Sequence, residues 1–325
     1  MKYCCKEMKE DIIKSNKELL EKCEKELVED NSTIANTKRL ELVGKIKVMN
    51  CGKEVEIIKY YNASNILVRF NESGEVVKST YSNFKRGTIK SHFNISVYNV
   101  GVIGNKLNWD KDSCKCWRGI LERCYNSKSL IRSPTYIGCS VCDEWLYYPN
   151  FKKWYDENYY TIKNQKMELD KDILFKGNKI YSPDSCIFVP ERINTLFIKS
   201  NKSRGELPIG LRYSKNFKRI EVSVCINKTP KYLGSFPNNS NGIQEAFGVY
   251  KQAKEREIKR VADEYKDKIP KKLYDGMCNY KIEIDDWNKL NKKKCWQYIL
   301  SMIRYICKIN FGLSQCQRTL NPQIK

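Results

Sequence analysis

The chain has 325 residues, 41% hydrophobic and 30% charged, a composition that folds into globular units and is long for a single core. No stretch approaches the roughly 18 uninterrupted apolar residues of a membrane span, and the first residues are charged throughout with no apolar signal core, so a cytoplasmic protein with no membrane partner is expected. Its 60 Lys and Arg against 38 Asp and Glu leave a formal net charge of +22, which favours a polyanion, although a general lysine bias would also raise it.

Residues 6–29 read as one helix, with Ile12, Ile13, Leu19, Leu20, Cys23 and Leu27 as an apolar stripe among Lys and Glu. Packing on the rest of the protein is the expected role of the stripe, with a short dimerising helix as the alternative. Asn31-Ser32-Thr33 is expected to end it, making 1–31 an N-terminal helix. Residues 41–93 change texture: GKIKVMN, VEIIKYY, NILVRF and EVVKSTY carry β-branched residues between Asn- and Gly-containing turns, as a small antiparallel β-module would. Arg69, Lys78, Lys85 and Arg86 give it a basic cast. His92, the only histidine, is expected to be an ordinary surface residue. An Asn-, Gly- and Asp-rich stretch, 94–113, reads as a linker.

The next block, 114–200, opens on a helix with Trp117, Ile120, Leu121 and Cys124 on one face. Tyr136, Ile137, Val141 and Trp145 follow, then an aromatic helix around Phe151, Trp154 and Tyr155. It leads into LDKDILFKGNKIYSPDSCIFVPERIN, residues 169–194. These read as a short strand ending at Asp170-Lys171, a turn at Gly177-Asn178, a second strand, and a helix carrying Asn194. Ile173, Tyr181, Cys186, Phe188 and Leu196 are the expected packing. That order lets two residues far apart in sequence converge on one metal ion.

The fixed residues of this block are Trp117, Arg123-Cys124, Val141-Cys142-Asp143-Glu144-Trp145, Leu169-Asp170-Lys171, Gly177-Asn178, Tyr181-Ser182-Pro183, Cys186 and Ile193-Asn194. Over about 80 residues it resembles the phage HNH, or ββα-metal, endonucleases of the homing type. The resemblance implies a host-cell, phage- or mobile-element-encoded nuclease. It places Asp170 and Asn194 on the ligand positions for Mg²⁺ or Mn²⁺, Lys171 on the general-base position, and Ser185 on the position of the middle Asn. A hard cation held by one carboxylate and one amide oxygen keeps several waters, which suits phosphodiester hydrolysis. A lysine at its ordinary pKa near 10.4 cannot accept a proton at neutral pH. Lys171 therefore either has a depressed pKa or acts as a charge on the phosphate.

The 15 cysteines are scattered along a chain with no secretion signal, so reduced thiols are expected. Cys139 and Cys142 have the spacing of half a zinc site, which Cys114, Cys116, Cys124 or Cys186 could complete. No second C-x-x-C exists, so packing as small apolar side chains is expected instead of zinc.

Residues 199–272 hold 18 Lys and Arg against 8 Asp and Glu, a surplus of 10, and a concentration that a uniform lysine bias would not produce. Strands are predicted at 210–213, 219–226 and 231–235, then a helix over 244–268. Gly210-Leu211, Arg219-Ile220, Tyr232-Leu233-Gly234-Ser235-Phe236 and Glu245-Ala246-Phe247 make residues 201–275 resemble the APETALA-type DNA-binding domain of ethylene-response factors. The resemblance implies a three-stranded sheet in the major groove of double-stranded DNA, with Arg212, Tyr213, Lys215, Lys218, Arg219 and Lys231 as groove-facing candidates. Ala246, Phe247, Tyr250, Ala253, Val261 and Tyr265 read as the bracing core. Lys251, Lys254, Lys259 and Arg260 read as a solvated helix face. Residues 276–325 form a helical tail, with a helix suggested by Trp287, Trp296, Tyr298, Ile299, Ile303 and Ile306.

The expectation is thus an α+β, multidomain chain: a small β-module, an HNH-like ββα-metal domain, and a three-strand-plus-helix DNA-binding domain. The expected function is a site-specific, metal-dependent DNA endonuclease. The alternatives are a catalytically inactive DNA-binding regulator or accessory protein derived from such a nuclease, and an RNA-binding factor.

Overall fold

The computed structural model describes residues 6–26, 33–105, 109–197, 207–216 and 218–284. The helix expected around Trp287 to Ile306 lies outside the described residues, as do Leu27 and the domain boundary expected near residue 200. The architecture is mixed α+β with several small sheets. No helix among the described residues is long and apolar enough to cross a membrane.

In chain order come α1 (Lys6–Glu26), α2 (Thr33–Leu42), β1 (Ile46–Val48), β2 (Glu54–Asn62), β3 (Asn65–Phe70), β4 (Val76–Ser79) and α3 (Tyr81–Arg86). Then follow β5 (Ile95–Val97), β6 (Gly101–Val102), α4 (Lys111–Tyr125), α5 (Ser127–Arg132), β7 (Ser140–Val141) and α6 (Tyr148–Asn158). The remaining elements are β8 (Met167–Asp170), β9 (Ile180–Tyr181), β10 (Ile187–Pro190), α7 (Glu191–Leu196), β11 (Leu211–Tyr213), β12 (Arg219–Ile226), β13 (Thr229–Pro237), α8 (Ser240–Tyr265) and α9 (Lys271–Cys278). They divide into two compact units, one of residues 1–127 and 140–157, the other of 128–139 and 158–325.

In the first unit β1–β4 pair antiparallel in sequence order. Ile66, Val68 and Phe70 of β3 pack on Met49, Val55, Ile57 and Phe84, while Leu67 between them packs the other way, on Tyr61, Val76 and Cys23 of α1. Burial on both faces is why NILVRF reads as an apolar run instead of alternating. Asn16 fastens α1 to the sheet: its Nδ2 donates to Gly74 O at 2.8 Å and its Oδ1 accepts from Val76 N at 2.8 Å. Among the described residues Ile12, Leu19, Leu20 and Cys23 of the stripe therefore pack intramolecularly, while Ile13 is 69% exposed. One expectation changes here: a second helix, α2, occupies a stretch to which the sequence assigned no element. His92 is exposed, as expected, and it is tied to the sheet: its Nδ1 lies 2.7 Å from Oε1 of Glu75, a carboxylate 1% exposed, and its backbone N–H donates to the same oxygen.

The described residues of the stretch expected as a linker are structured. β5 and β6 form a hairpin turning on Tyr98 and Asn99, both left-handed (φ 48° and 59°). A Cβ on Gly101 would lie 2.6 Å from Leu121 Cδ1, so only glycine allows β6 this close to α4. Asp110 caps α4 by accepting from the backbone N–H of Asp112 and Ser113. Asn, Gly and Asp here serve a left-handed turn, a close approach and a helix cap, three uses that composition cannot separate from a flexible connection. Trp117 is fully buried and donates its Nε1–H to Trp145 O at 2.6 Å.

In the second unit β8 pairs antiparallel with β10, in the register Asp170↔Ile187, Leu169↔Phe188 and Glu168↔Val189. This corrects the expected hairpin. The chain does turn at Gly177 (φ 81°), but the segment directly after it, β9, is outside the ladder, and the partner of β8 begins only at Ile187. The three-stranded sheet β11-β12-β13 lies against α8, with Ile220, Val222 and Val224 facing Ala246, Phe247, Tyr250 and Val261. Ile187, Val189 and Ile193 of the ββα segment belong to that same core. The β8–α7 end of the block expected as a separate nuclease domain therefore shares one core with the three-stranded sheet and α8, while its residues 114–127 and 140–157 belong to the first unit. Lys254 is also corrected: it is 8% exposed, not on a solvated face, and burial pushes its ammonium pKa down.

Candidate functional site

Asp170 ends β8 and Asn194 lies on α7, the helix that follows β10 without a break. Pairing of β8 with β10 therefore brings the start of α7 back over β8. The Asp170 carboxylate is fixed at one oxygen: Oδ1 accepts from the backbone N–H of Asp172 at 2.8 Å and of Ile173 at 2.7 Å. The second oxygen, Oδ2, is left for another ligand. Burial, and then the neighbouring Asp172 charge, raise the Asp170 pKa, against the pull of those N–H groups and Lys171.

Asn194 is fixed through its nitrogen, since Nδ2 donates to Oε2 of Glu168. Glu168 and Asp170 are two residues apart on one strand and share a face. The structure thus sets the Asn194 amide against Glu168, which shares a strand face with Asp170 and which the sequence reading did not single out. The i, i+2 spacing of the two carboxylates was visible; the amide that Glu168 holds was not.

The donor set suits a hard divalent cation: one carboxylate oxygen and one amide oxygen, each held in place from its other atom. Among the described residues no group of three His, Cys, Asp or Glu could hold a metal ion, so water would complete the coordination. Burial pushes the Cys116 thiol up to about 12 and the Cys142 thiol up to about 11.

Lys171 is 7% exposed, and its ammonium is committed to the loop that follows β8. Nζ donates to Asn178 O at 2.9 Å and to Asp172 Oδ2 at 3.2 Å, and lies 5.9 Å from the centre of the Tyr181 ring. Asn178 returns the contact, its Nδ2 donating to Lys171 O at 2.7 Å. Both hydrogen bonds are donated by the Lys171 amine, so this arrangement uses it to clamp the loop. Ser185, 8% exposed, donates to Ile180 O at 2.8 Å and steadies the same loop.

On the three-stranded sheet the candidates separate. Arg212 and Arg219 lie on the face away from α8. Arg212 donates to Glu221 across the strands, and Arg219 donates to the hydroxyl and the carbonyl of Ser235. Lys215 and Lys218 are exposed in the turn between β11 and β12, which Asn216 closes by accepting from Ser214 Oγ and Lys218 N. These four form one basic group. Tyr213 does not join it: paired with Ile220, it faces α8 and packs against the core. Lys231 is paired with Val224, on the α8 side and five residues along β12 from Arg219, about 17 Å away.

Tyr232, which was not among the candidates, is 61% exposed and pairs with Ser223 on the outer face. A bulge between Val222 and Ser223 makes that pairing by skipping Leu233, beside Gly234 with φ 147°. Strict alternation would have paired Ser223 with Leu233. Compared with family models, curated proteins and solved structures, the chain matches none of them.

Proposed function

We propose that the protein is a DNA-binding phosphodiesterase of the ββα-metal kind, cutting double-stranded DNA with Mg²⁺ or Mn²⁺. The observation that carries the reading is that Asn194 is held by Glu168, a neighbour of Asp170 on one face of β8, and that Asp170 and Asn194 each keep one oxygen outside those hydrogen bonds. Those two oxygens would hold the cation, which when bound would neutralise charge on the phosphate and the leaving oxygen. Arg212, Lys215, Lys218 and Arg219 would contact the DNA backbone and groove, and the buried Lys171 would keep the loop after β8 folded beside the ligands. The concentrated positive charge of residues 199–272 supports a nucleic-acid partner.

The decisive assay uses supercoiled plasmid carrying source-genome DNA, with Mg²⁺ or Mn²⁺. Nicked or linear product is expected with the wild type and none with Asp170→Ala or Asn194→Ala. One observation favours a second reading, an inactive DNA-binding regulator: both hydrogen bonds of the Lys171 amine are donated within the loop after β8 and not toward the ligand positions. Tight, salt-sensitive binding without cleavage in either metal would select it, and Lys171→His would then be the variant in which cutting appears.

A further inference from the structure

We propose that Glu168 is a positioning residue that sets the orientation of the Asn194 side-chain amide, so that its oxygen and not its nitrogen faces the metal position. An amide presents a donor at one end and an acceptor at the other, and only the acceptor can ligate a cation. Which end is presented is decided by what holds the opposite one. Here a carboxylate holds it: Glu168 Oε2 accepts from Asn194 Nδ2, and the reversed amide would set two oxygens against each other.

Glu168 is itself steadied from the other side, since Lys166 Nζ donates to its Oε1 at 2.7 Å. Both carboxylate oxygens are therefore engaged, which suits an orienting group and not a ligand. Asp170 is fixed on the same principle by different means, backbone N–H groups taking Oδ1 and leaving Oδ2. The pair of ligands is thus preorganised from two sides of one strand face, and Glu168 supplies the half that concerns Asn194.

The inference rests on the proposed reading, and the test separates the two. Binding of Mn²⁺ to the full chain is measured without DNA, by the loss of the free-ion electron paramagnetic resonance signal. Melting of the metal-free protein is followed in parallel. The wild type should bind an ion that Asp170→Ala does not. Glu168→Ala should weaken binding roughly 10- to 100-fold, the usual effect of losing a group that orients a ligand, with its metal-free melting close to wild type. Glu168→Gln should recover most of the affinity, because the glutamine oxygen still accepts from Asn194. Wild-type affinity in Glu168→Ala, or a Glu168→Gln variant as weak as Glu168→Ala, would overturn the inference alone. Absence of any Asp170-dependent binding would remove the metal reading and the inference together.

Discussion

Gly210 stands where β11 leaves the turn before it, with φ at 84° and Tyr250 of α8 pressed against it. A Cβ at this position would fall 2.0 Å from Tyr250 Cδ2, 2.2 Å from Cε2 and 2.5 Å from Cγ. Gly210→Ala therefore carries two separate costs. Holding an L-residue in the left-handed region costs about 1–2 kcal/mol. The clash adds about 1–3 kcal/mol, typical of overpacking, because the overlapping atoms sit near the root of a ring that is 4% exposed and cannot swing into solvent. The sum, about 2–5 kcal/mol, is a large share of the 5–15 kcal/mol that holds a typical domain. Urea unfolding of the wild type, Gly210→Ala, Tyr250→Leu and the double variant separates the parts. Shrinking the ring should return the overpacking share, so the double variant should be about 1–3 kcal/mol more stable than the two single costs added together. A Gly210→Ala cost below about 1 kcal/mol, or additive costs in the double variant, would refute this account of why β11 requires glycine.

Two further outcomes follow from the site. Asp170 has its folded-state pKa raised, so its contribution to stability is present at low pH and is lost as pH rises through the folded pKa. Asp170→Asn keeps an oxygen for the N–H groups of Asp172 and Ile173. It should raise the metal-free melting temperature at neutral pH, with the gain fading on acidification, while Mn²⁺ binding is lost; a fall in melting temperature at neutral pH would contradict the burial argument. On the sheet, Lys218→Ala should lower the slope of log K against log salt for DNA binding by about 0.9, one phosphate contact. Lys231→Ala, on the α8 side, should leave that slope unchanged, and equal effects of the two would show that the outer face is not the DNA-contacting surface.

Local chemistry was legible wherever a residue acts through its own backbone or its near neighbours. Strands at 210–213 and 219–226, the long helix after them, and the buried positions Ala246, Phe247, Tyr250 and Val261 follow from alternation and helical spacing alone. Asp170 at a strand end and Asn194 on a helix were readable in the same way. Residues 94–113 were misread because Asn, Gly and Asp serve a hairpin turn, a close approach and a helix cap as readily as they serve a flexible connection.

Contacts between distant residues could not be read along the chain. Lys254 carries the signature of a solvated helix position, and only the packing of α8 buries it. Tyr213 and Lys231 were set among the DNA contacts by the family resemblance, but strand register turns both to the α8 side, and one bulge brings Tyr232 outward in their place. Glu168 became part of the site because α7 folds back over β8 and hands it an amide, a meeting across 26 residues. Periodicity assigns each side chain to a face of its own element; which faces meet, and at what register, depends on packing and pairing between elements far apart in the chain.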